Sequence, residues 1–276
     1  TLYLSYNPYG PNGDWYEALT WMKNNTPDPF GDDSFYYAHY EEPAKGEPYA
    51  YPDTAYGVMS WWDYGHWITR IAHRIPNANP FQAGIGGTSA PGNPDENPGA
   101  STFMTAQDES TGSSIMDTLD SRYVVIDYET AWPKYHTMVT WSGKNLSDFY
   151  EYWYRDSTTQ ELRMYEHPDP KASPEVQLFY PAYYQSMCVR LYNFGTEAVV
   201  PNNSTWVISY TWQTLDNGDR YKLITSVAND GEPFATYEEA AAFIHDHPDY
   251  VIVGTNPFAS PIAMEALEEY ELIHSS

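Results

Sequence analysis

The sequence predicts a mixed α/β protein, with a helix-rich central core, a small sheet and a β-rich insertion. Three observations lead there. Capped helical segments are twice followed at once by a β-rich run, in 108–126 and in 236–253, an order that suits a layered α/β arrangement. Between Thr196 and Asp230, Val, Thr, Trp and Tyr alternate on the way to Asn217-Gly218, the pattern of a β-hairpin. Aromatic residues make up 17% of the 276 residues, with 27 Tyr and 10 Trp. That is far too much apolar surface to leave in water, and the chain is long enough to bury it.

In chain order, Thr1 to Gly13 reads as loop through its Asn-Pro and Gly-Pro turns. Asp14 is placed to cap a helix running to about Asn24, with Trp15, Leu19 and Met22 near helical spacing, and Pro27 and Pro29 end it. Phe30 to Thr54 is rich in Tyr, Pro and acid and reads as irregular chain. Gly57 to Arg74 is the densest apolar stretch and enters a helix around His66 to Ala72. Gly84 to Gly99 follows as a flexible Gly/Pro/Asn loop. Asp108 caps a helix through Ile115 and Leu119, before the strand-like run Tyr123 to Ile126. Trp132 to Trp141 and Ser147 to Tyr154 read as short helices, and Tyr183 to Phe194 as a better one. In the hairpin, Trp206 to Trp212 runs out and Arg220 to Ile224 returns. Thr236 and Glu239 form a capping box, and the strand Tyr250 to Val253 follows that helix. The two helix–strand units are expected to supply neighbouring strands of one small sheet. The chain thus divides into a first part of the core (1–195), the β-rich insertion (196–232) and a closing helix–strand–helix segment of the core (233–276).

Charge excludes several functions. A formal net charge of −25 repels nucleic acid, whose binding needs clustered Lys and Arg, and it argues against a basic patch on anionic lipid. Such a surface suits a salty or extracellular setting. The single cysteine, Cys188, allows no internal disulfide and reads as a buried, inert thiol. There is no CxxC, HExxH, GxSxG or Gly-rich phosphate loop. His245-Asp246-His247 admits two readings, a metal site or cations balancing a helix C-terminus. No stretch reaches the roughly 18 to 20 apolar residues of a membrane span. Thr1 to Gly10 is no signal peptide, so the chain is expected to be soluble, with the abrupt start of a fragment cut after a membrane region.

One segment carries chemistry: Ser60-Trp61-Trp62-Asp63-Tyr64-Gly65-His66-Trp67. An acid among aromatic neighbours is costly to bury without hydrogen-bond partners. Trp offers an N–H donor and Asp an acceptor, so the segment can hold a small hydroxyl between aromatic walls. It can equally be an aromatic core segment whose Asp bonds to backbone.

Trp61-Trp62-Asp63-Tyr64-Gly65 is the WWDYG signature, and in it the chain resembles the catalytic subunit of archaeal oligosaccharyltransferases, generally named AglB. Similar too are the flanks Ala55 to Ser60 and Trp67 to Thr69, the segment Trp15 to Met22 with Asn25-Thr26-Pro27, Tyr183 to Met187 with Val189 to Tyr192, and the closing Glu265-Ala266-Leu267 with Tyr270 and Ile273-His274. The resemblance implies the C-terminal globular domain of a membrane glycosyltransferase that moves a glycan from a dolichol-type lipid-linked oligosaccharide to the Asn of an Asn-x-Ser/Thr sequon in an acceptor polypeptide. It places the domain on the extracellular face of the cell membrane, below a membrane portion absent from this sequence. That portion would bind the lipid-linked donor and a Mg²⁺ or Mn²⁺ ion, leaving this fragment inactive alone, with no metal and no catalytic residue of its own. Trp61, Trp62 and Asp63 would meet the Ser/Thr hydroxyl two places after the acceptor Asn, and Tyr64 and Gly65 would shape the turn. A second family element, DxxKxxxM, is kept in Lys134 and Met138, with Met138 expected against the Thr methyl. Its acidic position holds Ala131, with Asp127 and Glu129 just upstream as possible replacements. The chain also has sequons at Asn24, Asn145, Asn202 and Asn203, open to self-modification. Two other readings remain: an aromatic-rich carbohydrate-binding module, and an acidic cell-envelope domain without catalysis.

Overall fold

A computed structural model describes residues 10–32, 43–47, 49–87, 97–201 and 205–276. The sequons at Asn202 and Asn203, most of Thr1 to Gly13 and the middle of the Gly84 to Gly99 loop lie outside them.

Helix α1 (Gly13–Asn25) is capped by Asn12, whose side chain accepts from Trp15 N, rather than by Asp14, which falls in the first turn. Trp15, Leu19 and Met22 are its buried stripe, as their spacing requires. Its last carbonyls would be orphans. Arg74, only 2% exposed, donates to the carbonyls of Met22, Lys23 and Thr26 and ties this helix end to the motif region.

The apolar stretch after Gly57 begins as a strand, β1 (Gly57–Met59), buried at all three positions. β1 lies between β2 (Ile75–Pro76) and β3 (Ser121–Val124) in a small all-parallel sheet. Between β1 and β2 the chain coils through a composite helix: a 3₁₀ turn Trp62–Tyr64, an α turn Gly65–Trp67 and a π turn Ile68–Ala72. This helix begins four residues earlier than expected. The ends of the Gly84 to Gly99 loop are firmly held: Gly87 N donates to Asn97 O, and Ala100 and Ser101 donate to the carbonyls of Gly84 and Ile85. Helices α2 (Ala100–Met104) and α3 (Glu109–Thr118) follow, the latter capped by Asp108 as expected. After β3 come α4 (Tyr128–Ala131) and α5 (Tyr135–Ser142).

The second half is dominated by a six-stranded sheet in the order β6-β4-β5-β8-β7-β9, every pairing antiparallel. Its strands are β4 (Tyr150–Arg155), β5 (Leu162–Tyr165), β6 (Val176–Phe179), β7 (Trp206–Thr214), β8 (Arg220–Val227) and β9 (Tyr250–Val253). The two edge strands meet where Phe179 and Gly254 exchange hydrogen bonds, which curls the sheet towards a barrel. Ser147 to Tyr154 was expected to be helical, and only the 3₁₀ turn Leu146–Asp148 is; β4 then takes over because Tyr150 and Trp153 pack inward. The helix expected over Tyr183 to Phe194 is two, α6 (Pro181–Gln185) and α7 (Met187–Phe194), broken where Ser186 is extended. The two helix–strand units do not share a sheet: β3 is parallel to β1, whereas β9 pairs with β7. After α8 (Tyr237–Asp246) and β9 no further helix closes the chain; 254–276 is irregular and joined to the body by the Val199–Met264 bridge.

The main core surrounds the parallel sheet and the helices, and smaller clusters lie around Trp153 and Ile208 and beneath α8. Cys188 is fully buried, and burial pushes its thiol well above the usual range, in keeping with an inert residue. His247 stacks on Phe243 at 4.1 Å. Among the described residues no group of three or more His, Cys, Asp and Glu is placed to hold a metal, and no helix is long and apolar enough to cross a membrane.

Candidate functional site

The parallel strands β1 and β3 run side by side and release their chains at the same end. From β1 come Ser60 and the motif turn; from β3 come Val125, whose N–H donates to Met59 O at 2.9 Å, and then Asp127 and α4. Ligand sites favour the carboxyl ends of parallel strands, where the loops diverge and backbone groups come free. A cleft of about 1560 Å³ opens there, with Asp63, Tyr64, Asp127, Glu129 and Lys134 along it.

Two linked polar centres form the cleft wall. In the first, Lys134 Nζ donates to Asp63 Oδ2 at 2.8 Å and also lies 2.8 Å from Glu129 Oε2. The Lys134 and Asp63 side chains are each about a third exposed, at 30% and 32%. Pairs this open contribute only about 0–1 kcal/mol to stability, so their main consequence is to fix where the carboxylates stand. Burial alone would lower the Lys134 pKa, but the hydrogen bonds it donates to Asp63 and Glu129 outweigh it and hold the ammonium well above the ordinary lysine range. In the second centre, Asp127 Oδ2 accepts from Tyr64 OH at 2.8 Å and from Trp15 Nε1 at 2.9 Å. Its Oδ1 accepts from the backbone N–H and the hydroxyl of Thr130, capping α4. Burial, reinforced by the Asp127 charge and hydrogen bond, keeps Tyr64 protonated far above its ordinary pKa. Lys134 lies 5.1 Å from the Tyr64 ring centroid and joins the two centres.

The residues expected at the site divide by depth. Asp63, Tyr64 and Lys134 reach the cleft. Gly65 underlies the turn, where a Cβ would meet Ala78 O at 2.3 Å, so only glycine allows the helix to pass this close to the following loop. Trp62 is half-buried, and its Nε1 has no hydrogen-bond partner among the described residues, a state that costs about 1–3 kcal/mol for a buried donor. Trp61 and Met138 are buried at 1% and 0% exposure and belong to the main core. The expected meeting of Met138 with a substrate methyl has no open path here: Lys134 is the N-cap of α5, and one turn later Met138 points into the core. Ala131 is fully buried, Glu129 stands beside Lys134, and Asp127 accepts from Tyr64 and Trp15.

Trp15, Trp67 and Asp127 are the site residues that motif spacing does not single out. Trp15 packs against Tyr64 with ring centroids 4.2 Å apart and tilted by 31°, and meets Trp67 edge-on at 5.7 Å, giving the cleft an aromatic floor. The Asp127-x-x-Thr130 spacing is a capping signature that could have marked Asp127.

Comparison with known proteins adds the following. A family model described as the AglB core domain matches residues 12–131. Dolichyl-monophosphooligosaccharide–protein glycotransferase AglB of Haloferax volcanii is 31% identical over 279 aligned positions, covering 95% of this chain and 24% of the relative. Dolichyl-phosphooligosaccharide-protein glycotransferase 3 of Archaeoglobus fulgidus is 49% identical over 138 residues, covering 50% of this chain and 15% of that protein. Among solved structures, the oligosaccharyltransferase of A. fulgidus tethered by a disulfide to an acceptor peptide with an NVT sequon is similar, with a TM-score of 0.56 and 36% identity over 75% of this chain and 24% of that one. The same organism's enzyme in complex with an inhibitory peptide and a dolichol-phosphate superposes with a TM-score of 0.52. A form of it was solved with Zn and sulfate. This chain spans about a quarter or less of the length of these relatives.

Proposed function

Because the chain belongs to the AglB family of archaeal oligosaccharyltransferases and carries that family's core domain, we propose that it is the C-terminal globular domain of a membrane glycosyltransferase and recognises the acceptor sequon. In this reading the whole enzyme transfers a glycan from a dolichol-type lipid-linked oligosaccharide to Asn in Asn-x-Ser/Thr, and this domain holds the Ser or Thr at the second position after that Asn. The donor and a Mg²⁺ or Mn²⁺ ion, which would activate the acceptor amide, are assigned to the rest of the enzyme at the extracellular face of the membrane. Asp63, Glu129 and Asp127 are already engaged by Lys134, Tyr64, Trp15 and Thr130, and among the described residues no group of acids is placed to hold a metal.

The observation that carries the proposal is the Asp63 carboxylate, open to the cleft and fixed by Lys134 at 2.8 Å. A hydroxyl both donates and accepts. It can donate to the Asp63 carboxylate, which lines the cleft. A peptide lacking the hydroxyl forgoes the hydrogen bond to Asp63, which is how a polar pocket disfavours the wrong substrate. The contribution to rate is positional: the domain converts a loosely bound chain into one whose Asn is presented for attack.

The test is transfer to a labelled Asn-x-Thr peptide by membranes holding the full-length protein and its native lipid-linked donor, wild type beside Asp63→Ala. Transfer should fall by at least about a hundredfold while circular dichroism of the variant domain stays native. Equal transfer by both proteins would remove Asp63 from the pocket.

A further inference from the structure

Beside the polar centres stands a second surface that the sequon reading leaves unused. Tyr128 precedes Glu129 on α4 and lines the same cleft, as does Tyr192 of α7; they are 43% and 41% exposed. Against Tyr128 lies Phe258, from a segment 130 residues away in sequence, with ring centroids 5.9 Å apart and the planes within 21° of parallel. Trp132 closes the group edge-on, 5.8 Å from Tyr128 and 6.0 Å from Phe258.

Phe258 is held at this surface by a set of partly buried hydrogen bonds. Asn256 Oδ1 accepts from Phe258 N, Tyr184 OH donates to Asn256 O, and Asn193 Nδ2 donates to Pro257 O, all at 2.8–2.9 Å. The turn approaches Tyr184 so closely that a Cβ on Gly254 would stand 2.1 Å from its hydroxyl. The framework is spent on presenting a phenylalanine that remains 43% exposed. Large apolar groups held rigidly at a surface, continuous with a binding cleft, are the usual anchors of recognition.

We infer that Tyr128, Phe258 and Trp132 form a shelf that receives an apolar side chain of the acceptor polypeptide flanking the sequon, and so help set which sequons are used. This rests on the sequon reading above and extends it. α4 presents Glu129 to Lys134 and Tyr128 to the shelf, so one short helix couples the polar pocket to the apolar one. Asp117, Glu129, Glu269 and Glu271 along the cleft disfavour an acidic side chain in the same flank.

The experiment uses full-length enzyme in membranes with its native donor. A series of Asn-x-Thr peptides carries Leu, Ser or Asp at one flanking position at a time, and kcat/KM is measured for each. Wild type should prefer Leu over Ser by about five- to tenfold at one flanking position, with Asp the poorest. Phe258→Ser and Tyr128→Ser should each bring the Leu/Ser ratio to about one, and Phe258→Trp should retain it. No preference at any position, or a preference untouched by both serine variants, would overturn the inference while leaving sequon recognition intact. Equal loss for every peptide with the ratio preserved would also overturn it, assigning the shelf to packing against another part of the enzyme. Absence of transfer by wild type to any sequon peptide would remove the sequon reading and the shelf with it.

Discussion

Asp127 makes four contacts with one carboxylate: Tyr64 OH and Trp15 Nε1 on one oxygen, the N–H and hydroxyl of Thr130 on the other. It joins α1, the motif turn and α4, elements that share no local sequence. Replacing it by Ala removes a helix cap, worth about 1 kcal/mol, and strands the buried Tyr64 hydroxyl, at a further cost of about 1–3 kcal/mol. Denaturant unfolding of Asp127→Ala should therefore show a loss of about 2–4 kcal/mol, and a loss below about 1 kcal/mol would mean that water replaces the carboxylate. Asp63 behaves differently. It is bound to a lysine about a third exposed, so its removal is expected to cost transfer rather than stability.

At the scale of elements, the composite helix of the WWDYG segment is shaped by its neighbours. Its 3₁₀, α and π turns follow one another within eleven residues, ending at His73 in the left-handed region with φ 53°. The pivot is Gly65. A Cβ there would meet Ala78 O at 2.3 Å and the Asn79 Cα at 2.7 Å, backbone atoms that move only with their whole loop. Gly65→Ala should cost about 1–3 kcal/mol by overpacking and shift Asp63 with the turn, lowering both the thermal midpoint and transfer. A variant with native stability and native transfer would show that the loop yields freely. Lys134 and Met138 make a related point about periodicity. Helical spacing shows that they are close, but not that the lysine lies at the N-cap, facing the cleft, while the methionine lies in the core.

For the molecule as a whole, a group of tyrosines belongs to the interior. Tyr150, Tyr180, Tyr183 and Tyr184 all have raised pKa values, burial being the first cause in each. Tyr64 is raised by burial together with Asp127, and Lys134 by its carboxylate partners against the effect of burial. For groups whose folded pKa lies above the unfolded one, the stabilisation is complete below the unfolded pKa and is lost as pH rises beyond it. Since unfolded Tyr titrates near 10 and Lys near 10.4, stability should be insensitive to these groups up to about pH 10 and fall above it. Tyrosinate absorbance should then rise together with unfolding. Complete ionisation of the tyrosines near pH 10 in a folded protein, with no fraction held back until unfolding, would contradict the burial argument.

The sequence by itself determined the local events. Caps at Asp108 and Thr236, the Asn217-Gly218 turn and the stripe of Trp15, Leu19 and Met22 were legible because they depend on groups a few residues apart. The WWDYG segment and Lys134 were legible as a resemblance. What tertiary structure decided was pairing across distance. It placed β3 beside β1 rather than beside β9, turned 150–155 from expected helix into strand, and brought Asp63, Glu129 and Lys134 into one ionic group. It also carried Trp61 and Met138 into the core. The reason is physical: a cap or turn is fixed by a hydrogen bond within one segment, whereas strand partners and carboxylate partners are chosen by burial of surfaces that meet only when the chain has folded.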